Sequence, residues 1–120
     1  MFLYKFKPAE LMEGTMFIPT SYKFLEHLRS AKNASDHTIR NYTIDLNGLK
    51  MYIEAEVLKL EEDMLPEKIR YNASYNERNT DNDQILTLQV ITRKLIRNYL
   101  AYLNLKKVSR RTVVRRMSSL

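Results

Sequence analysis

The stretch that decides the fold reads Ser35-Asp36-His37-Thr38-Ile39-Arg40-Asn41-Tyr42-Thr43-Ile44-Asp45-Leu46-Asn47-Gly48-Leu49-Lys50-Met51-Tyr52-Ile53. Its apolar residues Ile39, Tyr42, Leu46, Leu49 and Ile53 step by 3, 4, 3 and 4, which places them on one face of a helix. Ser35 stands where an N-cap belongs, so a helix is expected over 35–56. Gly48 inside it costs up to about 1 kcal/mol relative to Ala. Opposite the apolar stripe lie Arg40, Ile44, Asn47 and Met51, with Asn41 near its edge.

Working outward, three more helices follow from the same spacing. One covers 19–31, with Pro19 in its first turn and Ile18, Tyr22, Leu25 and Leu28 recurring at helical intervals. Another covers 88–105, with Leu88, Ile91, Leu95, Tyr99 and Leu103 on its stripe. The fourth is capped by Ser109 and turns Val113, Met117 and Leu120 inward, with Arg111, Arg115 and Ser118 opposite and Thr112, Ser119 and Arg116 on a shoulder. Its pattern is still helical at Leu120, as in a piece of a longer chain. The fold class expected is therefore all-α, a four-helix bundle.

Residues 61–84 differ in texture: acidic, rich in Asn, and offering only Met64, Leu65 and Ile69 for packing. A long loop insertion, mobile and with one helical turn at most, is expected there. Asp81-Asn82-Asp83 begins like a calcium loop, but no Gly stands at its sixth position and Thr92 takes the place of the bidentate Glu.

Composition narrows the function. Of the 120 residues, 44% are hydrophobic and 28% charged, as in a globular domain rather than a disordered tail. The absence of Cys removes thiol catalysis and cysteine-zinc sites, and two His leave no histidine metal site. Two Gly cannot write a phosphate-binding glycine loop. No catalytic residues and no cofactor are therefore expected in this chain. The N-terminal residues are interrupted by Lys5, Lys7, Glu10 and Glu13, unlike a signal peptide, and no run approaches the roughly 20 apolar residues of a membrane span. A cytoplasmic protein without membrane contact is expected.

The net charge of +6 is unevenly spread. Residues 85–120 carry nine basic side chains and no acidic one, whereas 61–84 carry seven acidic and three basic. Such asymmetry points to nucleic acid as partner. The helix starts sharpen this: Ser35-x-x-Thr38 and Ser109-x-x-Thr112 repeat one device, in which free amides, the positive helix end and two hydroxyls converge as a phosphate oxygen requires. Lys32 precedes one start, and Lys106, Lys107, Arg110 and Arg111 surround the other. Arg and Asn on the two outer faces match guanine and adenine edges, and Ile44 a thymine methyl.

These residues carry a resemblance. Lys32-Asn33-x-Ser35-x-x-Thr38-x-x-x-Tyr42-x-x-Asp45-Leu46, followed by Tyr99-Leu100-x-x-Leu103 and Ser109-x-x-Thr112-x-x-Arg115-Arg116-Met117-Ser118-Ser119-Leu120, resembles the N-terminal core-binding domain of tyrosine recombinases, most nearly the bacterial XerC/XerD group. The likeness covers about 19–56 and 88–120; residues 1–18, taken as an N-terminal extension, and 61–84 fall outside it. It implies a SAM-like bundle forming half of a clamp on duplex DNA. The DNA contacts it implies are Ser35, Thr38, Arg40 and Asn41 on the first helix and Arg111, Thr112 and Arg115 on the last; the outer faces and the charged helix starts add Lys32, Ile44, Asn47, Arg110 and Arg116 as candidates. It further implies that the catalytic domain, with its Arg/His set and nucleophilic Tyr, follows residue 120. The whole protein would then break and rejoin DNA as a tetramer with itself or a second related recombinase, in an event such as chromosome dimer resolution. Tyr42 and Tyr99 read as core, not nucleophiles. Two other functions fit an all-α bundle: a helical protein-interaction module, and a stand-alone DNA-binding regulator. The acid-free last third and the doubled Ser-x-x-Thr favour DNA over protein.

Overall fold

The computed structural model describes residues 15–119, with the side chains of 117–119 left aside. Four helices make up the bundle: α1 (Phe17–Ser30), α2 (Asp36–Tyr52), α3 (Arg93–Leu105) and α4 (Arg110–Ser119). They enclose one core of Phe17, Ile18, Phe24, Leu25, Leu28, Ile39, Leu46, Leu49, Ile53, Leu95, Tyr99 and Leu103, joined by Ile69, Leu86 and Leu88 from the long α2–α3 connection. The fold is all-α, and among the described residues there is no named strand. The inward turn expected of Met117 and Leu120 lies outside the described side chains.

α1 begins two residues before Pro19, because Phe17 and Ile18 are fully buried and belong to the core rather than to an extension. Pro19 remains within the first turn, where its missing N–H leaves no bond unmade. Lacking a side-chain cap, the start of α1 is tied down by main chain: Phe17 N–H donates to Leu86 O at 2.9 Å, and Leu88 N–H to Thr15 O at 2.8 Å. Residues 1–14 of the expected extension lie outside the described residues.

Ser35 caps α2 as its position suggests, and the helix ends in a π-helical turn over Ile53–Val57, where Leu58 N–H reaches back five residues to Ile53 O at 2.9 Å. The expectation for α3 needs correction. Its start lies at Arg93, because the Thr92 hydroxyl accepts the Leu95 N–H at 3.1 Å and caps the helix there. The preceding Leu88–Val90 is a separate 3-10 turn that still buries Leu88. Apolar spacing alone merges the two.

The connection 61–84, expected as a mobile loop insertion, carries buried polar contacts of its own and meets α1 at Tyr22. Ile69 is buried, but Met64 and Leu65 are exposed. Arg78 and Asp83 form a buried ion pair at 2.5 Å, and the Tyr75 hydroxyl donates to the same carboxylate at 2.8 Å. Arg78 also donates to the Glu67 carbonyl, and the rings of Tyr22 and Tyr75 meet edge to face. Hydropathy does not count such anchors, which is why the stretch reads as unable to order itself.

Candidate nucleic-acid interface

The two Ser-x-x-Thr starts have the same geometry. Ser35 Oγ accepts the Thr38 N–H at 3.2 Å and donates to Thr38 Oγ1 at 3.1 Å; Ser109 Oγ accepts the Thr112 N–H at 3.2 Å and donates to Thr112 Oγ1 at 2.9 Å. At each start the serine and threonine oxygens thus converge beside the free amides of the first turn, and each hydroxyl can donate or accept. Both arrangements sit at the exposed, positive end of a helix. Lys32 is exposed before the first; Lys106, Lys107, Arg110 and Arg111 are exposed around the second.

Lys107 occupies the left-handed backbone region, φ 57°, where Gly is usual. Its N–H donates to Asn104 O at 3.0 Å and the Val108 N–H to Leu103 O at 3.1 Å, the Schellman pattern that ends α3. This turn aims α4 back across α2.

α4 is fastened to α2 by charge. Asp45, 1% exposed, receives Arg115 Nη1 on Oδ1 at 2.9 Å and on Oδ2 at 3.1 Å, with Arg116 Nε at 3.8 Å. Arg116 Nη1 also donates to Tyr99 Oη at 3.4 Å. Burial pushes the Tyr99 hydroxyl above the ordinary tyrosine range. Gly48, one helical turn beyond Asp45, makes the approach possible: a Cβ there would lie 2.9 Å from Tyr99 Oη and 3.2 Å from Arg116 Nη1.

These contacts revise the assignment of outward-facing side chains. The helical spacing puts Arg115 opposite the buried stripe of α4 and Arg116 on its shoulder; both guanidinium groups turn toward α2, because a buried carboxylate outweighs a place in solvent. Asn47 likewise leaves the outer face. Its Nδ2 donates to Ile69 O at 2.8 Å and its Oδ1 accepts the Ile69 N–H at 2.9 Å, so both ends of the amide are engaged by the connection. Arg40 stays exposed but is stacked on Tyr71, 4.9 Å from the ring centroid, and Nη2 donates to its hydroxyl at 2.9 Å. Asn41 meets His37 Nε2 at 3.3 Å, and Ile44 is 47% exposed.

The structure adds residues the sequence reading missed. Lys68, Arg70 and Tyr71 of the connection line a groove of about 370 Å³ against Arg40, Ile44 and Asn47. The one available signal was Lys68-x-Arg70 flanking a lone apolar Ile69. Among the described residues, no grouping of His, Asp and Glu could hold a metal ion, and no helix is long and apolar enough to cross a membrane.

Four helices around one core, two of them opened by the same hydroxyl-rich, cation-flanked start, define a SAM-like helical module. Residues 22–79 match the family model of the phage integrase N-terminal SAM-like domain. It is similar to the tyrosine recombinases XerC of Chlamydia muridarum (37% identical), Chlamydia pneumoniae (33%) and Chlamydia trachomatis serovar D (34%), each over 103 residues. Those residues are 86% of this chain and 30% of each relative, so the chain spans about a third of the relatives it matches. No solved structure matches the chain significantly.

Proposed function

We propose that this chain is the duplex-DNA-binding domain of a site-specific tyrosine recombinase, forming one half of a clamp whose other half carries the catalysis. The observation that carries this reading is the pair of identical helix starts, each presenting a threonine hydroxyl beside exposed cations. Phosphate oxygens fit such a place, and two of them on one module fix its register on a duplex. Lys32, Ser35, Thr38, Arg40 and Asn41 would serve the first start, and Arg110, Arg111 and Thr112 the second. Ile44 is exposed toward the groove, while Asn47, Arg115 and Arg116 act as positioning residues that hold the connection and α4 in place.

In the whole protein this domain would work in the cytoplasm, in a tetramer with itself or a second related recombinase, during an event such as chromosome dimer resolution. The similarity to XerC supports that finer reading. The protein-interaction alternative gives no role to cations at both capped starts.

The test replaces both threonines, Thr38→Val and Thr112→Val, leaving the serine caps in place. Losing two phosphate hydrogen bonds should weaken duplex binding by about 2 kcal/mol, roughly 30-fold, with helical content retained. Unchanged affinity in a folded double variant would refute the reading.

A further inference from the structure

We propose that residues 68–71 form a third DNA-contacting element beside α2, with Lys68 on the phosphate backbone and Tyr71 presenting Arg40. This rests on the DNA-binding reading above and assigns a role to a stretch whose acidity argues against one.

Three successive residues are fixed by main-chain bonds to the bundle. Ile69 exchanges both of its main-chain groups with Asn47, the Arg70 N–H donates to Tyr22 Oη at 3.0 Å, and Arg29 donates to the Tyr71 carbonyl. Ile69 points inward and is 1% exposed. On either side of it, Lys68 and Arg70 are exposed. Tyr71 then lies under the Arg40 guanidinium, so the connection and the outer face of α2 meet as one surface.

The charge of that surface is not the charge of the stretch. Glu67 accepts the Asn79 N–H at 2.9 Å and pairs with Arg70, and Asp83 is buried beneath Arg78 and Tyr75. The groove itself is lined by Arg40, Lys68 and Arg70 with no acidic side chain among its lining residues. A cationic groove edged by an aromatic ring, adjoining a capped helix that faces phosphate, fits the backbone of the same duplex.

The experiment uses the 120-residue protein and a mixed-sequence duplex, titrated at several salt concentrations. Lys68→Ala is compared with Lys94→Ala, an exposed lysine of α3. Loss of one phosphate contact should flatten the log–log salt slope by about 0.9 for Lys68→Ala and leave it unchanged for Lys94→Ala. Asn47→Ala, which frees the segment, should flatten it as Lys68→Ala does, and combining the two should add nothing. If the unaltered protein binds and both lysine variants behave alike, this inference is overturned while the DNA-binding reading stands. If the unaltered protein fails to bind duplex at low salt, both fall together.

Discussion

Arg115 of α4 reaches across to Asp45 of α2 with Nη1 2.9 Å from Oδ1, and the carboxylate it meets is almost wholly buried. The pair makes the two helices of the candidate interface one rigid body, so that the starts at Ser35 and Ser109 hold a fixed relation. Removing Arg115 leaves the carboxylate to Arg116, whose Nε is 3.8 Å away. Arg115→Ala should therefore cost about 1–3 kcal/mol, below the usual loss for a fully buried pair because Arg115 is itself partly exposed. In a cycle with Asp45→Asn, urea unfolding should show a coupling of about 1–2 kcal/mol; additive single effects would mean the pair is not a unit.

Gly48 gives a test in which helix propensity and packing oppose one another. Ala is favoured by about 1 kcal/mol inside a helix, but its Cβ would stand 2.9 Å from the hydroxyl of Tyr99, a ring that is 1% exposed and unable to swing aside. Overpacking of this kind costs about 1–3 kcal/mol, so Gly48→Ala should lower the melting temperature despite the better propensity. Adding Tyr99→Phe removes the clashing oxygen and should recover most of the loss. A melting temperature raised by Gly48→Ala alone would contradict the close helix contact.

Lys107 should separate stability from binding. Gly fits its left-handed backbone without the steric cost, so Lys107→Gly should stabilise the fold by about 0.5–1 kcal/mol. The same change deletes an exposed cation at the α4 start and should weaken duplex binding. Thermal melts and DNA titration on one variant check both signs, and parallel changes would dismiss the lysine as a contact.

Alkali should loosen the α2–α3 connection. Burial, with the hydrogen bond to Asp83, pushes the Tyr75 hydroxyl up to about 12. An unfolded tyrosine ionises near 10, so between about pH 10 and 12 the folded chain keeps a proton that the unfolded chain has lost. That contribution is present below pH 10 and disappears as pH rises through 12. Stability should fall across this window in the native protein, and Tyr75→Phe should flatten the fall; identical profiles would refute the assignment.

What was legible in the sequence follows from which forces leave a pattern. α2 could be read because Ile39, Leu46, Leu49 and Ile53 repeat at helical intervals behind a serine cap. Both Ser-x-x-Thr starts were visible because capping is a local, three-residue device. The turn at Thr92 was missed because an apolar stripe continues on both sides of it, although the same threonine could have been recognised as a cap. A helical wheel, which treats each helix alone, puts Arg115 opposite the buried stripe and Arg116 on its shoulder, and cannot show that both turn to Asp45. Asp45, adjoining Leu46 of the buried stripe, was the signal that a cation must come to it. The connection stayed opaque because Asn47–Ile69 and Arg78–Asp83 join residues far apart in sequence or read as polar, and neither leaves a hydropathy trace.

The central claim is that exposed cations at two capped helix starts grip duplex phosphates. Its most direct test is a titration of this protein on duplex DNA across salt concentrations. If about six phosphates are neutralised, the log–log slope of affinity against salt should lie near −5. No binding at low salt, or binding indifferent to salt, would contradict the account.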